Sequence, residues 1–216
     1  VYKRQIINMH NYDIYLFFLL SYLIGSIPFA VFFGKIFYNT DVRDYGSFNA
    51  GATNVLRVLG WKPALLVLFF DIFKGWFSLY FIAFLNDFLF HTEYKVEVLL
   101  IFAFASVIGH IFPIYVGFKG GKGIATLLGV LIAIYSYSVL ITIIIFLIIL
   151  FMFRFVSLAS VISSISFPFL ILFSGNDNIY LIIFAILVPI ITLITHKKNI
   201  VRLLNGKETK INFVKK

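Results

Sequence analysis

Long apolar segments separated by short polar ones constrain this chain more than any other feature. A transmembrane helix needs about 20 mainly apolar residues, within a range of about 17–25. Four stretches meet that requirement: 13–33, 63–84, 96–115 and 178–195. Hydrophobic residues make up 62% of the 216 residues and charged residues 12%, whereas a soluble domain is about 45–50% apolar and about 25% charged. The sequence therefore predicts an all-α integral membrane protein.

The remaining apolar sequence is harder to divide into spans. The stretch 124–153 is too long for one ordinary span and short for two. Its polar interruption is Tyr135–Ser138, which favours two short helices at 123–134 and 137–153. A further short helix is predicted at 157–173, which completes a seven-helix transmembrane bundle. The alternative is five spans, if the stretch 124–153 crosses once and the segment 157–173 is partly re-entrant.

The distribution of cations predicts the orientation of this bundle. Fourteen of the 18 Lys and Arg residues lie in loops, and in a C-terminal tail, that a seven-helix bundle places on one face. By the positive-inside rule that face is cytoplasmic, which puts the N-terminus outside and the C-terminus in the cytoplasm. The net charge of +9 is interpreted as topology and contact with membrane lipids rather than nucleic-acid binding. No nucleic-acid partner is expected.

The two ends of the chain suggest its domain organisation. The first methionine is Met9, so residues 1–8 are interpreted as a non-native or disordered N-terminal extension. Residues 9–216 are predicted to form a single transmembrane domain. The chain contains no cysteine, which excludes disulfides, thiolate metal sites and a cysteine nucleophile. We expect neither a metal nor a cofactor.

The first polar motif, Gly46–Arg57, has the composition of a phosphate site. Its glycines permit close backbone approach, and Arg57 can hold a phosphate through two parallel hydrogen bonds. Short side-chain donors lie between them, namely Ser47, Asn49, Thr53 and Asn54. The alternative is an ordinary loop rich in turn residues.

A second motif comes directly before an apolar helix. It consists of Lys119, Gly120, Gly121, Lys122 and Gly123. Backbone N–H groups at a helix start, together with two lysines, can bind an anion. The motif is not a P-loop, because Gly123 stands where that motif has Ser or Thr. The alternative is a positively charged membrane stop.

The third polar motif begins at His196. Asn199 and Arg202 follow at steps of three, so on a helix the three share one face. His196 can act as acid, base or donor, or it can anchor the helix at the membrane interface. Ser157 and Ser160 are likewise three residues apart and would face together at the end of a helix. A serine there can bind a ligand or bond back to its own backbone.

Ionisable residues inside two predicted spans have either a functional or a structural reading. Asp71 and Lys74 lie within the second predicted span, where charges are costly. Their spacing lets them neutralise each other, so function and structure are equally supported. His110, at the end of the third predicted span, is expected to be structural.

Taken in order, these motifs resemble the PlsY family of bacterial acyl-phosphate:glycerol-3-phosphate acyltransferases. The resemblance spans most of the chain and rests on the segments Gly25–Pro28, Gly34–Lys35, Gly46–Arg57, Asp71–Gly75, Gly109–Pro113, Lys119–Thr126, Arg154–Ser160 and His196–Glu208. It implies a seven-helix enzyme of the bacterial inner membrane whose site faces the cytoplasm. The implied reaction belongs to phospholipid biosynthesis: acyl phosphate and glycerol 3-phosphate give lysophosphatidate and phosphate. A peripheral enzyme that produces acyl phosphate is a candidate partner.

The resemblance and the residue chemistry together give a hypothesis for the mechanism. Ser47, Arg57, Ser160 and one of the two loop lysines bind phosphate groups. His196 and Asn199 orient the acceptor hydroxyl or polarise the acyl carbonyl, and Ser47 is a further candidate for catalysis. No acyl-enzyme intermediate is required, because acyl phosphate is already activated. The alternative function is a membrane transporter of phosphate esters or organic anions, which would share the cationic loops.

Two positions depart from the usual family pattern. Phe48 stands where the family usually has glycine, and Ala50 stands where a larger residue or proline is usual. The soluble-type acyltransferase motif, a His followed five residues later by Asp, is absent from the sequence. That absence excludes the commoner class of glycerolipid acyltransferase.

Overall fold

The computed structural model describes residues 2–90 and 95–211, and over these ranges the all-α prediction is confirmed. Two 3₁₀ turns accompany the α-helices, at Val42–Asp44 and Ile114–Val116. The helices are α1 (Tyr2–Gly25), α2 (Phe29–Tyr38), α3 (Ala52–Val58), α4 (Trp61–Phe90), α5 (Val96–Ile111), α6 (Ile124–Ile134), α7 (Ser136–Phe153), α8 (Val156–Phe173), α9 (Ile179–Thr195) and α10 (Lys197–Leu204). Residues 2–8 continue helix α1, and their interpretation as a non-native extension stays a prediction.

Four helical segments are long and apolar enough to cross a membrane, within the part of the chain that the structure describes. They are Ile14–Tyr38, Trp61–Phe88, Val96–Val116 and Val156–Phe173. Helices α9 and α10, which meet at an angle of 66°, make a fifth if they are counted as one bent span. Helices α6 and α7 are apolar but shorter. The structure thus supports four or five spans, and the count of seven stays a prediction.

The first predicted span, 13–33, is interrupted rather than continuous. Helix α1 ends at Gly25 and α2 begins at Phe29. Pro28 causes the break, because proline has no N–H and disfavours a helical conformation at the residue before it. The carbonyl of Ile27, at this break, accepts a hydrogen bond from Lys74 Nζ at 2.7 Å.

The division of the stretch 124–153 into two helices is confirmed. Helix α6 ends at Ile134 and α7 begins at Ser136, with Tyr135 between them. The Tyr135 hydroxyl donates to the carbonyl of Leu181 at 2.7 Å, and its ring packs edge-on against Phe167. The polar interruption seen in the sequence is therefore a tertiary contact as well as a helix break.

The chain divides into two compact units, Val1–Ala133 and Ile134–Lys216. In the first unit α1 packs on α4 and α5, and α4 also packs on α2 and α3. Helices α4 and α6 approach closely, since a Cβ at Gly75 would overlap the backbone of Thr126. In the second unit α8 packs on α7, α9 and α10. The prediction of a single transmembrane domain stays a prediction.

Candidate active site

A buried asparagine organises the start of the Gly46–Arg57 motif. Asn54 Oδ1 accepts the backbone N–H of Ser47 at 2.8 Å, and its Nδ2 donates to the carbonyls of Val42 at 2.7 Å and Tyr45 at 3.1 Å. Both ends of its amide are therefore engaged, and the side chain is 1% exposed. These hydrogen bonds hold the loop that carries Ser47, and the prediction that Asn54 binds substrate stays a prediction.

The other predicted donors of this motif remain partly accessible. The motif begins as a loop and continues as α3, which places Thr53 near its start and Arg57 in its last turn. Val55 is fully buried, so α3 is fixed on its inner side. The side chains left half-exposed are those of Ser47, Asn49, Thr53 and Arg57. These four can approach a ligand without unfolding the loop.

Phe48 adopts a backbone conformation that favours glycine. Its φ angle is +58°, in the left-handed region where a Cβ meets the following carbonyl oxygen. The side chain is 71% exposed, so packing does not compensate for this conformation. Glycine adopts this conformation without strain, which gives a physical reason for the glycine that the resemblance implies at this position.

The Lys119–Gly123 motif lies on the end of helix α5. The N–H of Gly121 donates to the carbonyl of His110 at 3.1 Å, and the carbonyl of Gly120 accepts from the N–H of Ala50 at 3.4 Å. A Cβ on Gly121 would overlap the His110 imidazole, and one on Gly120 would overlap the His110 carbonyl. The glycines therefore serve close packing. Phosphate binding by the N–H of Gly121, as predicted, would require that bond to break.

The two lysines of this motif differ in exposure. Lys119 is exposed and Lys122 is half-buried. Gly123 has a φ of +84°, and its carbonyl accepts the N–H of Leu127 at 2.7 Å, in the first turn of α6. The predicted arrangement, a cationic glycine loop before a helix, is present.

Arg43, in the 3₁₀ turn just before the first motif, is bonded to the second motif, a role that the sequence analysis missed. Its guanidinium donates to both carboxylate oxygens of Asp41 at 3.0 and 2.8 Å. It also donates to the carbonyls of Val116 at 2.9 Å and Lys119 at 3.4 Å. The hydrogen bond from Arg43 is the main reason why the pKa of Asp41 lies below its usual range. The close spacing of Asp41 and Arg43 was the sequence signal.

Three buried ionisable side chains lie next to the second motif. Lys74 Nζ is 2.8 Å from Asp71 Oδ1, which confirms that the two can pair, although the angles do not make this contact a hydrogen bond. His110 Nδ1 lies 3.5 Å from the same oxygen. All three are at most 6% exposed. Charges in a membrane span require such partners.

In the second unit, Glu208 gathers several predicted site residues. Oε1 accepts from Ser157 Oγ at 3.0 Å and Asn199 Nδ2 at 2.7 Å, and Oε2 accepts from Arg202 Nε at 2.7 Å. The Glu208 side chain is 3% exposed. Burial alone would raise its pKa, but these hydrogen bonds outweigh burial and lower it. The sequence analysis did not single out Glu208, because one of its partners, Ser157, is 51 residues away and the turn that brings Asn199 and Arg202 to it was not predicted.

A turn at Gly206 brings Glu208 back against helix α10. Gly206 has a φ of +67°, and the N–H of Lys207 donates to the carbonyl of Arg202 at 2.7 Å. Such a left-handed glycine commonly ends a helix and reverses the chain. Beyond the turn, the N–H of Ile211 donates to the carbonyl of Arg154 at 2.8 Å.

His196 is held in one tautomer. It lies between α9 and α10 and is 2% exposed. Its Nδ1 is 2.9 Å from the carbonyl of Thr192. A carbonyl only accepts hydrogen bonds, so Nδ1 carries the proton and Nε2 of the neutral ring is the accepting nitrogen. Asn199 and Arg202 follow on α10 and are helical as predicted, whereas His196 lies at the bend before that helix.

The predicted site residues thus fall into two groups, one in each unit. The first unit brings together the Gly46–Arg57 and Lys119–Gly123 motifs. The second unit joins Ser157 with Asn199 through Glu208, and Ser160 is also buried on α8. Within residues 2–90 and 95–211, no three His, Asp or Glu side chains gather as a metal site requires.

Comparison with known proteins identifies the family. A family model for glycerol-3-phosphate acyltransferase matches residues 15–206. A glycerol-3-phosphate acyltransferase of Pelodictyon phaeoclathratiforme is 39% identical over 91% of this chain and 96% of the relative. One of Fusobacterium nucleatum is 39% identical over 91% of this chain and 97% of the relative.

Two solved structures have the same fold. Both are of PlsY (YgiH), an integral membrane glycerol 3-phosphate acyltransferase. The glycerol 3-phosphate form matches with a TM-score of 0.81 and 36% identity, covering 92% of this chain and 96% of that one. The lysophosphatidic acid form matches with a TM-score of 0.78 and 35% identity, covering 92% and 95%. With its apolar helices, the chain is a multi-pass membrane protein, and it belongs to the glycerol-3-phosphate acyltransferase family.

Proposed function

We propose that this protein transfers a fatty acyl group from acyl phosphate to glycerol 3-phosphate, giving lysophosphatidate and phosphate. The observation that carries the proposal is the match to PlsY structures in glycerol 3-phosphate and lysophosphatidic acid forms, a substrate and a product of this reaction. The acyl phosphate donor is supported by two sets of cationic groups in the first unit, Arg57 and the lysines Lys119 and Lys122. Two phosphate-bearing substrates need more than one set of such groups.

The proposed setting is the bacterial inner membrane, with the site facing the cytoplasm. Seven helices, an outside N-terminus and a cytoplasmic C-terminus are supported by the loop cations and by the seven apolar helical segments in residues 2–90 and 95–211. Residues 9–216 act as one domain, with membrane lipids around it. A peripheral enzyme that supplies acyl phosphate remains the candidate partner.

The proposed chemistry is direct transfer. A hydroxyl oxygen of glycerol 3-phosphate attacks the acyl carbonyl carbon, an ester bond forms, and the bond from that carbon to the phosphate oxygen breaks. The departing phosphate takes the hydroxyl proton, so no base with a free carboxylate is needed. Holding both anions in register supplies most of the acceleration, since the donor is already activated.

The residues divide this work according to their chemistry. Arg57 can form two parallel bonds to one phosphate group, and Ser47 and one of Lys119 and Lys122 add a hydroxyl and a cation. In the second unit, the Nε2 of His196 is suited to accept a hydrogen bond from the glycerol hydroxyl and so orient it, before the hydroxyl proton passes to the departing phosphate. Ser160, buried on α8, is the further hydroxyl donor to phosphate in this proposal.

The test is an assay of purified protein in detergent. Labelled acyl phosphate and glycerol 3-phosphate should give equal amounts of lysophosphatidate and free phosphate, without acyl-CoA or acyl carrier protein. If lysophosphatidate forms from acyl-CoA but not from acyl phosphate, the proposed donor is wrong. Glycerol 3-phosphate uptake into proteoliposomes, with no product formed, would instead support the transporter.

A further inference from the structure

We propose that Asp71, Lys74 and His110 form a positioning network that sets the place of the Lys119–Gly123 loop. The inference rests on the proposed function, in which this loop binds phosphate, and adds three positioning residues to it. These residues need not touch substrate. All of them, and the loop, belong to the first unit.

The contact between His110 and Gly121 is the basis of this inference. The N–H of Gly121 donates to the carbonyl of His110. A Cβ on Gly121 would also overlap Nε2 of the imidazole and come within 3.1 Å of the Ala50 carbonyl. The loop is therefore confined between a histidine side chain and the Gly46–Arg57 motif. Because the imidazole lies against Gly121, a shift of the imidazole toward the loop displaces Gly121 and, with it, the next residue, Lys122.

The position of the imidazole depends in turn on the buried ion pair. His110 Nδ1 is 3.5 Å from Asp71 Oδ1, and Lys74 Nζ is 2.8 Å from that oxygen. Lys74 also donates to the carbonyl of Ile27 at the break between α1 and α2. The network thus runs from that break, through α4, to the end of α5.

Charge neutralisation alone does not account for this arrangement. Asp71 and Lys74 already neutralise each other at one helical turn. His110 is a third polar side chain in contact with this pair. It is also the side chain that leaves room for only a hydrogen atom at Gly121. The network therefore has a mechanical connection to the loop that simple pairing does not require.

A double-mutant cycle tests the connection. Gly121→Ala alone should raise KM for glycerol 3-phosphate or acyl phosphate at least tenfold, with a smaller change in kcat, because the new methyl group displaces the loop. In a His110→Ala background the same substitution has room and should change KM less than twofold further. An equal effect in both backgrounds would show that the imidazole does not set the loop.

Ile82→Ala is the control for general destabilisation. Ile82 is fully buried on α4, two turns beyond Lys74, so its truncation leaves a cavity away from the network and the loop. It should lower the unfolding temperature and leave the KM of the folded enzyme within twofold of the native value. If its KM rises as in Gly121→Ala, general destabilisation explains both variants and the inference falls.

A second measurement does not depend on turnover. The rate at which Lys122 is acetylated in the folded protein, measured by mass spectrometry against exposed Lys62, should change at least threefold in His110→Ala. It should change similarly in Asp71→Asn/Lys74→Met, which removes both charges without leaving one buried alone. Unchanged Lys122 rates would refute the network even if KM rose. If the native protein uses no acyl phosphate, the proposed function fails, while these rates still test the network.

Discussion

Replacing Glu208 by Ala should detach residues 207–211, called the tail below, from helices α8 and α10 of the second unit. In the native structure this carboxylate accepts hydrogen bonds from Ser157, Asn199 and Arg202. It thereby joins the tail to α8 and α10. The substitution removes all three acceptor contacts at once.

The size of the effect follows from the exposure of the three donors. Ser157 and Asn199 are 3% and 5% exposed, and a buried donor left without its acceptor costs about 1–3 kcal/mol. The Arg202 side chain is 39% exposed, so water replaces its partner at about 0–1 kcal/mol. Ser157 can bond back to its own helix, which reduces the total. We expect a loss of about 2–4 kcal/mol in tail docking.

Hydrogen exchange at Ile211 measures this loss directly. Its N–H donates to the carbonyl of Arg154, so in Glu208→Ala its exchange should accelerate about 30- to 1000-fold. Activity at low glycerol 3-phosphate should fall at least tenfold, because Asn199 loses the bond that orients it. Asp177→Ala, which removes an exposed carboxylate from the same unit, should change neither. Native exchange at Ile211 in Glu208→Ala would refute the reasoning.

The pH dependence of tail docking has a definite sign. The pKa of Glu208 is lowered in the folded protein, because its three hydrogen bonds outweigh its burial. The stabilisation is therefore complete at neutral pH. It is lost as the pH falls below the ordinary carboxyl range and through the lowered value. Ile211 exchange, corrected for its intrinsic rate, should accelerate on acidification in the native protein and not in Glu208→Ala.

Three further predictions concern the proposed site and topology. Arg57→Lys should lose most activity at low substrate, since lysine cannot form two parallel bonds to phosphate; near-native kcat/KM would make Arg57 only a topology charge. Phe48→Gly should raise the free energy of unfolding by about 0.5–1 kcal/mol, because relief of the positive φ exceeds the added chain entropy; a less stable variant would contradict this. Cysteines introduced singly at Asp44, Asp177 and Asn205 should be labelled from outside sealed cells only at position 177, and labelling at 44 or 205 would overturn the orientation.

Features governed by local sequence were predictable. The helix break at Tyr135 follows from a polar interruption within an apolar run, and the pairing of Asp71 with Lys74 follows from their spacing on one helix. The break at Pro28 also had a local signal. The length of the apolar segment around it nevertheless favoured a continuous span, because a proline within a membrane helix is often tolerated.

Features that depend on distant partners were not predictable. The roles of Arg43 and Glu208 depend on residues far along the chain, namely Val116, Lys119 and Ser157. A sequence pattern shows that a charged side chain is present and leaves its partner undetermined. These two charges contributed to the sequence analysis only as topology or as part of a resemblance, and the structure gives each a specific set of hydrogen bonds.

The glycine-rich loop shows how one residue type can serve two opposed purposes. From the sequence, Gly120 and Gly121 were expected to expose backbone N–H groups to an anion. In the structure, the N–H of Gly121 is bonded to His110, and neither glycine has room for a side chain. Both uses require the absence of a Cβ, so residue identity cannot distinguish them. The contact with His110 shows that these glycines serve close packing. We therefore expect anion binding in this loop to come from Lys119 and Lys122, which the glycines hold in place.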